Sequence, residues 1–233
     1  MLYNKILLKL SGEAFSGDKN NGIDRNTLIF ISEEIKKILS LGIKIAVVIG
    51  GGNFWRGRSA KEFERITADS IGMLATVMNA LAFKEVLLSL NVNAEVFSAV
   101  EVPKFTEPLV ISKAKKHFED GSIVIFSGGT GSPFFSTDSA AAMRALDIGA
   151  EAILKATLVD GVYDKDPNSF KNAEKYDSIT YLEVLNKRLK VLDSTAASLC
   201  MDNKLPIHVF KLEKGNILKI LNGESLGTII KEN

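Results

Sequence analysis

Residues 43–53 read Ile-Lys-Ile-Ala-Val-Val-Ile-Gly-Gly-Gly-Asn, and from Ile45 to Ile49 every position is apolar. Successive strand residues face opposite sides, so an unbroken apolar run predicts a strand buried on both faces, as in a parallel sheet covered by helices. Runs of the same kind recur at 5–10 (KILLKL), 94–98 (AEVFS), 122–127 (SIVIFS), 152–156 (AILKA) and 206–211 (PIHVFK). Between them the pattern turns helical. Residues 26–41 follow Asp24 as a cap and stop at Gly42 as the C′ residue, and 138–148 stop at Gly149 in the same way. In 69–90, Ile71, Leu74, Val77, Met78 and Leu81 keep 3/4 spacing, while Met73, Phe83 and Leu87 widen the stripe. Such a helix is a core element or part of a subunit contact. Strand–helix alternation of this kind predicts an α/β sandwich around a mainly parallel sheet, in one domain spanning 1–233.

Composition narrows the function classes. Lys+Arg number 29 and Asp+Glu 28, a balance that gives no reason to expect nucleic acid or an anionic membrane as partner. The longest apolar run has five residues (45–49), too short to span a bilayer. Cys200 is the single cysteine and cannot form an intrachain disulfide, which fits a reducing, cytosolic setting. His117 and His208 are too few for a His-rich metal centre. The sequence around each reads as a solvated helix face for His117, a core strand for His208 and a buried small residue for Cys200.

Ligands of open α/β sheets bind beyond the carboxyl ends of the strands. Four predicted strands end in unusual sequence: Lys9-Leu10-Ser11-Gly12; Gly50-Gly51-Gly52-Asn53 followed by Trp55-Arg56; Gly128-Gly129-Thr130-Gly131; and Thr157 through Asp166 (TLVDGVYDKD). Consecutive glycines let backbone N–H groups approach an anion with no Cβ in the way, and Lys9 and Arg56 add fixed positive charge. One such cluster is a tight turn; several on one sheet edge predict a phosphate site. There is no G-x-x-x-x-G-K-[ST], no ordered G-x-G-x-x-G after the first strand and no G-x-S-x-G. Lysine, carboxylate and glycine remain, and phosphoryl transfer asks a protein mainly for positioning and charge neutralisation. Lys9, Arg56, Asp138, Asp160, Asp166 and Asp193 are the charged candidates. Asp138 and Asp69 also read as helix caps, and Asp160-Gly161 as a plain turn.

Taken together, KLSGEA (9–14), GGGNFWRG (50–57), GMLATVMNALA (72–82), GGTGSPFFSTDSAA (128–141), KATLVDGVYDKDP (155–167) and LPIHVF (205–210) resemble the bacterial uridylate (UMP) kinases, members of the amino-acid kinase fold family. The resemblance runs essentially end to end. It implies a three-layer αβα sandwich whose N-terminal part holds UMP and whose C-terminal part holds ATP. It further implies ATP + UMP giving UDP + ADP with Mg²⁺ in pyrimidine nucleotide synthesis, a cytoplasmic homohexamer built as a trimer of dimers, and inhibition by UTP.

The same resemblance implies roles residue by residue. Lys9, Leu10, Ser11 and Gly12 match an ATP-phosphate loop, with Lys9 on the transferring group. Gly52 and Arg56 match ATP-phosphate contacts. Gly51 matches a UMP contact and Asp69 the carboxylate on the UMP ribose. Thr130, Gly131, Ser132, Pro133, Phe134, Phe135, Ser136 and Thr137 match the loop around UMP. Thr157, Tyr163 and Asp166 match the adenosine pocket, and Asp138 and Asp193 match acidic positions near the reacting phosphates. The family's GFGID-like stretch, linked to GTP activation, is altered here: in 17–24 (GDKNNGID) Asn21 stands where an aromatic residue often sits. A carboxylate or carbamate kinase, and a nucleotide-binding or storage module on the same fold, are the competing readings.

Overall fold

The computed structural model describes residues 1–19, 21–55 and 62–232. All six predicted strands form, within a residue or two of the expected bounds: β1 (Lys5–Leu10), β2 (Lys44–Ile49), β3 (Ala94–Ser98), β5 (Ile123–Ser127), β6 (Ala152–Thr157) and β10 (Ile207–Lys211). They stand side by side and parallel in the order β3-β5-β2-β1-β6-β10. Shorter strands that the sequence did not signal extend the edges. β4 (Glu107–Pro108) lies beside β3; β11 (Thr228–Ile230) runs antiparallel to β10 and pairs with β9 (Ser178–Ile179). β7 (Val162–Tyr163) and β8 (Lys175–Tyr176) form a separate antiparallel pair. Among the described residues the main sheet therefore has nine strands.

Helices cover both faces. α1 (Arg25–Leu39), α2 (Arg65–Ser89) and α7 (Asn216–Leu221) pack on one side. α3 (Ile111–Glu119), α4 (Thr137–Ile148), α5 (Tyr181–Asn186) and α6 (Ser194–Asp202) pack on the other. The core is accordingly split in two by the sheet. Ile6, Leu8 and Leu10 of β1 face α1 and α2, whereas Leu7 faces α4. This alternation is what makes the central strands predominantly apolar on both faces.

Asp24 caps α1 as expected, accepting the Thr27 N–H at 2.9 Å. Three other terminus expectations are corrected. The C-cap of α1 is Ser40, with Gly42 two residues further on. α4 is capped by Ser136, not Asp138, whose own N–H donates to the Ser136 hydroxyl at 3.0 Å. α2 begins at Arg65, so Asp69 lies one turn inside it rather than capping it. By length and composition α2 would cross a bilayer. Here its inner face, with Ala68, Ala75, Val77, Ala80, Phe83 and Leu87, is buried against the sheet and α1, while Leu74 and Met78 on the outer face are about half exposed.

Candidate active site

The four strand ends singled out in the sequence belong to β5, β2, β1 and β6, which are adjacent, so their loops meet at one edge. The glycines there have a steric cause as well as the one expected. A Cβ on Gly12 would stand 2.4 Å from the backbone N of Gly52, and one on Gly52 would stand 2.3 Å from Glu13 Oε1. The loops after β1 and β2 thus pack backbone to backbone, and only glycine permits it. Gly128, at φ +74, donates its N–H to Thr76 Oγ1 of α2 at 2.8 Å, tying the third loop to the same helix.

Beside these loops, Lys9 of β1 pairs in register with Lys155 of β6, so the two side chains project from one face of adjacent strands. Asp138, in the first turn of α4, meets both. Its Oδ2 accepts from Lys155 Nζ at 2.6 Å, and its Oδ1 lies 3.1 Å from Lys9 Nζ. Lys155 also donates to the Val191 carbonyl. Burial would raise the Asp138 pKa, but the two ammonium groups outweigh it and hold the carboxyl well below the usual range. Burial pushes Lys155 down to about 8, against the pull of Asp138 and with the repulsion of Lys9 added. Asp193 stands near enough for its charge to favour the Lys155 ammonium. It caps α6 through the Ala196 N–H at 2.9 Å, and accepts from the hydroxyls of Ser136 and Ser139. The N-termini of α4 and α6 therefore converge there, adding positive partial charge.

Two cavities flank this centre. One, of about 140 Å³, is lined by Gly51, Trp55, Asp69, Gly129, Thr130, Ser132, Phe135, Ser136 and Thr137. Asp69 Oδ2 accepts from Arg65 Nε at 2.7 Å and from the Phe134 N–H at 2.8 Å, so the carboxylate anchors the 130–137 loop while facing the cavity. Phe134 reaches it at φ +73; Gly131 has φ +83 and Pro133 lies between them. The other, of about 650 Å³, is lined by Lys155, Thr157, Tyr163, Asp166 and Phe170 among others. Thr157 donates its hydroxyl to the Val159 carbonyl at 2.6 Å, and Asp166 accepts from Asn168 N–H and Ser169 hydroxyl, both at 2.9 Å. Asp160 is more than a plain turn, since it receives the Tyr163 hydroxyl at 2.6 Å and Lys175 at 3.3 Å across the β7–β8 pair.

The structure thus gathers Lys9, Asp138, Asp193 and the 130–137 loop at one edge, with Leu10, Ser11 and Gly12 turning into the first loop. Arg56 lies outside the described residues. Lys155, Thr76 and Asn79 were missed. A lysine inside the otherwise apolar strand AILKA was the available signal for Lys155, because a buried strand does not hold an ammonium without a partner. The remaining sequence readings of polar residues agree for His208 and Cys200. His208 is buried in β10, hydrogen-bonded to the Tyr3 hydroxyl at 2.9 Å and pushed by burial down to about 4. Burial raises the Cys200 thiol to about 12. His117 is half-buried with its ring against Phe97 rather than fully solvated.

For a divalent cation the donor set is a poor fit. Among the described residues no three His, Cys, Asp or Glu side chains cluster to hold one. Asp138 Oδ2 accepts from Lys155 and the buried Oδ1 lies in ion-pair range of Lys9 without a hydrogen bond of its own, while both Asp193 oxygens accept from hydroxyl and N–H donors.

Comparison with known proteins agrees with this fold. Residues 4–211 match the amino acid kinase family. A UMP kinase from Bacillus anthracis superposes with a TM-score of 0.95 at 38% identity, over 100% of this chain and 98% of that one. A UMP kinase from Ureaplasma parvum gives 0.91 at 38% identity over 100% of both chains. A uridylate kinase from Archaeoglobus fulgidus gives 0.75 at 28% identity over 97% of this chain and 99% of that one. With paired lysines bridged by a carboxylate between two cavities, on this sheet and over this length, the chain belongs to the amino acid kinase family of phosphotransferases.

Proposed function

We propose that the protein catalyses ATP + UMP = ADP + UDP by direct phosphoryl transfer. The observation that carries this reading is the Lys9–Asp138–Lys155 cluster standing between a small cavity beside Asp69 and a larger one beside Tyr163 and Asp166. In this reading the N-terminal part holds UMP, with the ribose on Asp69 and the phosphate towards Gly51 and the 130–137 loop. The C-terminal part holds ATP, with adenosine against Thr157, Tyr163 and Asp166.

An oxygen of the UMP phosphate attacks the γ-phosphorus, and the bond to the β–γ bridging oxygen breaks, leaving ADP. The acceptor needs no general base, because a phosphate monoester has its second pKa near about 6 and is already an anion at neutral pH. Asp138 accordingly acts as an organiser: hydrogen-bonded to Lys155 and in ion-pair range of Lys9, it holds two ammonium groups where charge accumulates on the equatorial oxygens. Mg²⁺ would be held by the phosphates of ATP, where it would neutralise charge. A role in de novo synthesis of UTP and CTP, inhibition by UTP, a cytoplasmic location and a homohexamer complete the proposal. The exposed apolar side chains on α2, Ile66, Leu74 and Met78, favour association of subunits.

An ADP-release assay with ATP, Mg²⁺ and each nucleoside monophosphate in turn tests it. Turnover restricted to UMP is expected. Faster turnover with carbamate, acetylglutamate or aspartate would move the assignment to an acid kinase, and tight ATP binding without product would make the protein a binding module.

A further inference from the structure

A third cavity, of about 500 Å³, is lined by Ser136, Asp138 and Asp193 on one side and by the segment after α5 on the other. That segment, Arg188, Leu189 and Lys190, also lines the 650 Å³ cavity beside Asp166. It is therefore the partition between two cavities that both reach the lysine–carboxylate cluster, one at Lys155 and the other at Asp138. Both cations are exposed, and among the described residues neither has an ion-pair partner within 4.0 Å. Asp166 is held below the usual carboxylate range chiefly by the Asn168 N–H and the Ser169 hydroxyl, and Lys190 adds to this, which puts the Lys190 charge within reach of that pocket.

Arg188 carries a second signal. It follows the C-cap Lys187 of α5 at φ +51, where its N–H bonds the Leu185 carbonyl and the Leu189 N–H bonds Val184. Glycine is the residue that suits this left-handed position at a helix end, because a Cβ is crowded there. A long cationic side chain is kept in a conformation that works against it, at the rim of two cavities. Strain of that kind points to use of the side chain.

We propose that Arg188 and Lys190 form a cationic clamp on the polyphosphate chain of the donor nucleotide, positioning it between the adenosine pocket and Lys9. The inference rests on the UMP kinase reading. A nucleotide with its base by Tyr163 and its terminal phosphate towards Lys155 and Lys9 lies in the cavity that Arg188 and Lys190 line, and unpaired cations there lower the cost of bringing a polyanion into it.

The test uses the full-length protein and its Arg188→Gly and Lys190→Ala variants, with ATP varied at saturating UMP, UMP varied at saturating ATP, and the melting temperature of each. Arg188→Gly is expected to melt a few degrees higher, because the strain is relieved, and yet to raise KM for ATP about three- to tenfold with KM for UMP unchanged. Lys190→Ala is expected to raise KM for ATP to a similar extent. A purely structural role for Arg188 predicts no such opposition between stability and affinity. A KM for ATP within twofold of the parent in both variants overturns the clamp. If the parent protein turns over no monophosphate, the functional reading fails by itself. Calorimetric titration of ATP and AMP into the three proteins then decides the clamp separately: a loss confined to ATP supports it, and equal losses for both, or none, overturn it.

Discussion

Asn53 and Asn79 exchange both of their side-chain amide bonds: Asn53 Nδ2 donates to Asn79 Oδ1 at 2.9 Å, and Asn79 Nδ2 donates to Asn53 Oδ1 at 2.7 Å. Both residues are buried, and the remaining amide hydrogens reach the carbonyls of Gly22 and Gly50 at 2.7 and 2.8 Å. The pair locks the glycine loop after β2 to α2, and through Gly22 to the segment before α1. A buried network satisfied at every atom is stiff, and it is costly to leave half satisfied.

Asn79→Leu strands the Asn53 amide and the Gly50 carbonyl in the core. The expected loss is about 2–3 kcal/mol, from one or two unsatisfied buried groups. Urea denaturation measures it, and a loss below about 0.5 kcal/mol contradicts the role given to the pair.

Lys9 and Asp69 stand on opposite sides of the proposed transfer. Removing the ammonium in Lys9→Ala takes away charge that matters most in the transition state, so kcat should fall about a hundredfold or more with little change in KM for UMP. Asp69→Asn keeps an acceptor for the Phe134 N–H but weakens the proposed ribose contact, so the rise belongs in KM for UMP. Equal effects of both changes on kcat and KM would remove the assignment of the two cavities.

Lys155, pushed by burial down to about 8, is charged below that pH and neutral above it. In the free protein, kcat/KM for ATP should therefore fall as pH passes about 8. The bound anionic phosphates favour the ammonium, so the corresponding limb in kcat lies at higher pH. Lys155→Arg keeps its charge throughout, and the limb should vanish. Between about 8 and the ordinary value of 10.5 the unfolded chain holds more protons on this residue than the folded one, so its own contribution to stability rises with pH across that window. An alkaline limb unchanged in Lys155→Arg assigns it to another group.

His208 has the acid-side counterpart. Its folded pKa of about 4 lies under the ordinary 6.5 because the ring is buried, so between those values the unfolded chain binds more protons. The contribution of this residue to stability is complete above 6.5 and is lost as pH falls towards 4, by at most about 3 kcal/mol. His208→Phe fills the same space and should flatten the stability profile between pH 4 and 6.5. A profile as steep as the parent's would place the acid sensitivity elsewhere.

The apolar runs were enough to place the six central strands, because a strand covered on both faces is apolar on both faces over most of its length. The glycine and lysine clusters at their ends pointed to the edge where the candidate site lies for a related reason: anion cradles demand residue types that a plain turn does not. The edge strands β4, β9 and β11 and the β7–β8 pair were illegible, since two- or three-residue strands are set by their neighbours rather than by local pattern. The helix caps erred by a few residues because Asp138 and Asp69 have the composition of caps, and only packing decides whether a carboxylate turns to its own helix or away from it.

By itself, then, the sequence determined a parallel α/β sheet, the end of that sheet where the candidate site lies, and Lys9 and Asp138 as candidates. The tertiary structure alone decided that Lys155 stands beside Lys9 in register and that Asp138 bridges the two. It also decided that Gly12 and Gly52 touch, and that Arg188 and Lys190 wall off two cavities. Residue pattern encodes which face of an element is buried. Which two side chains share that burial, from strands nearly 150 residues apart, depends on sheet order and register, and neither is written in any local stretch of chain.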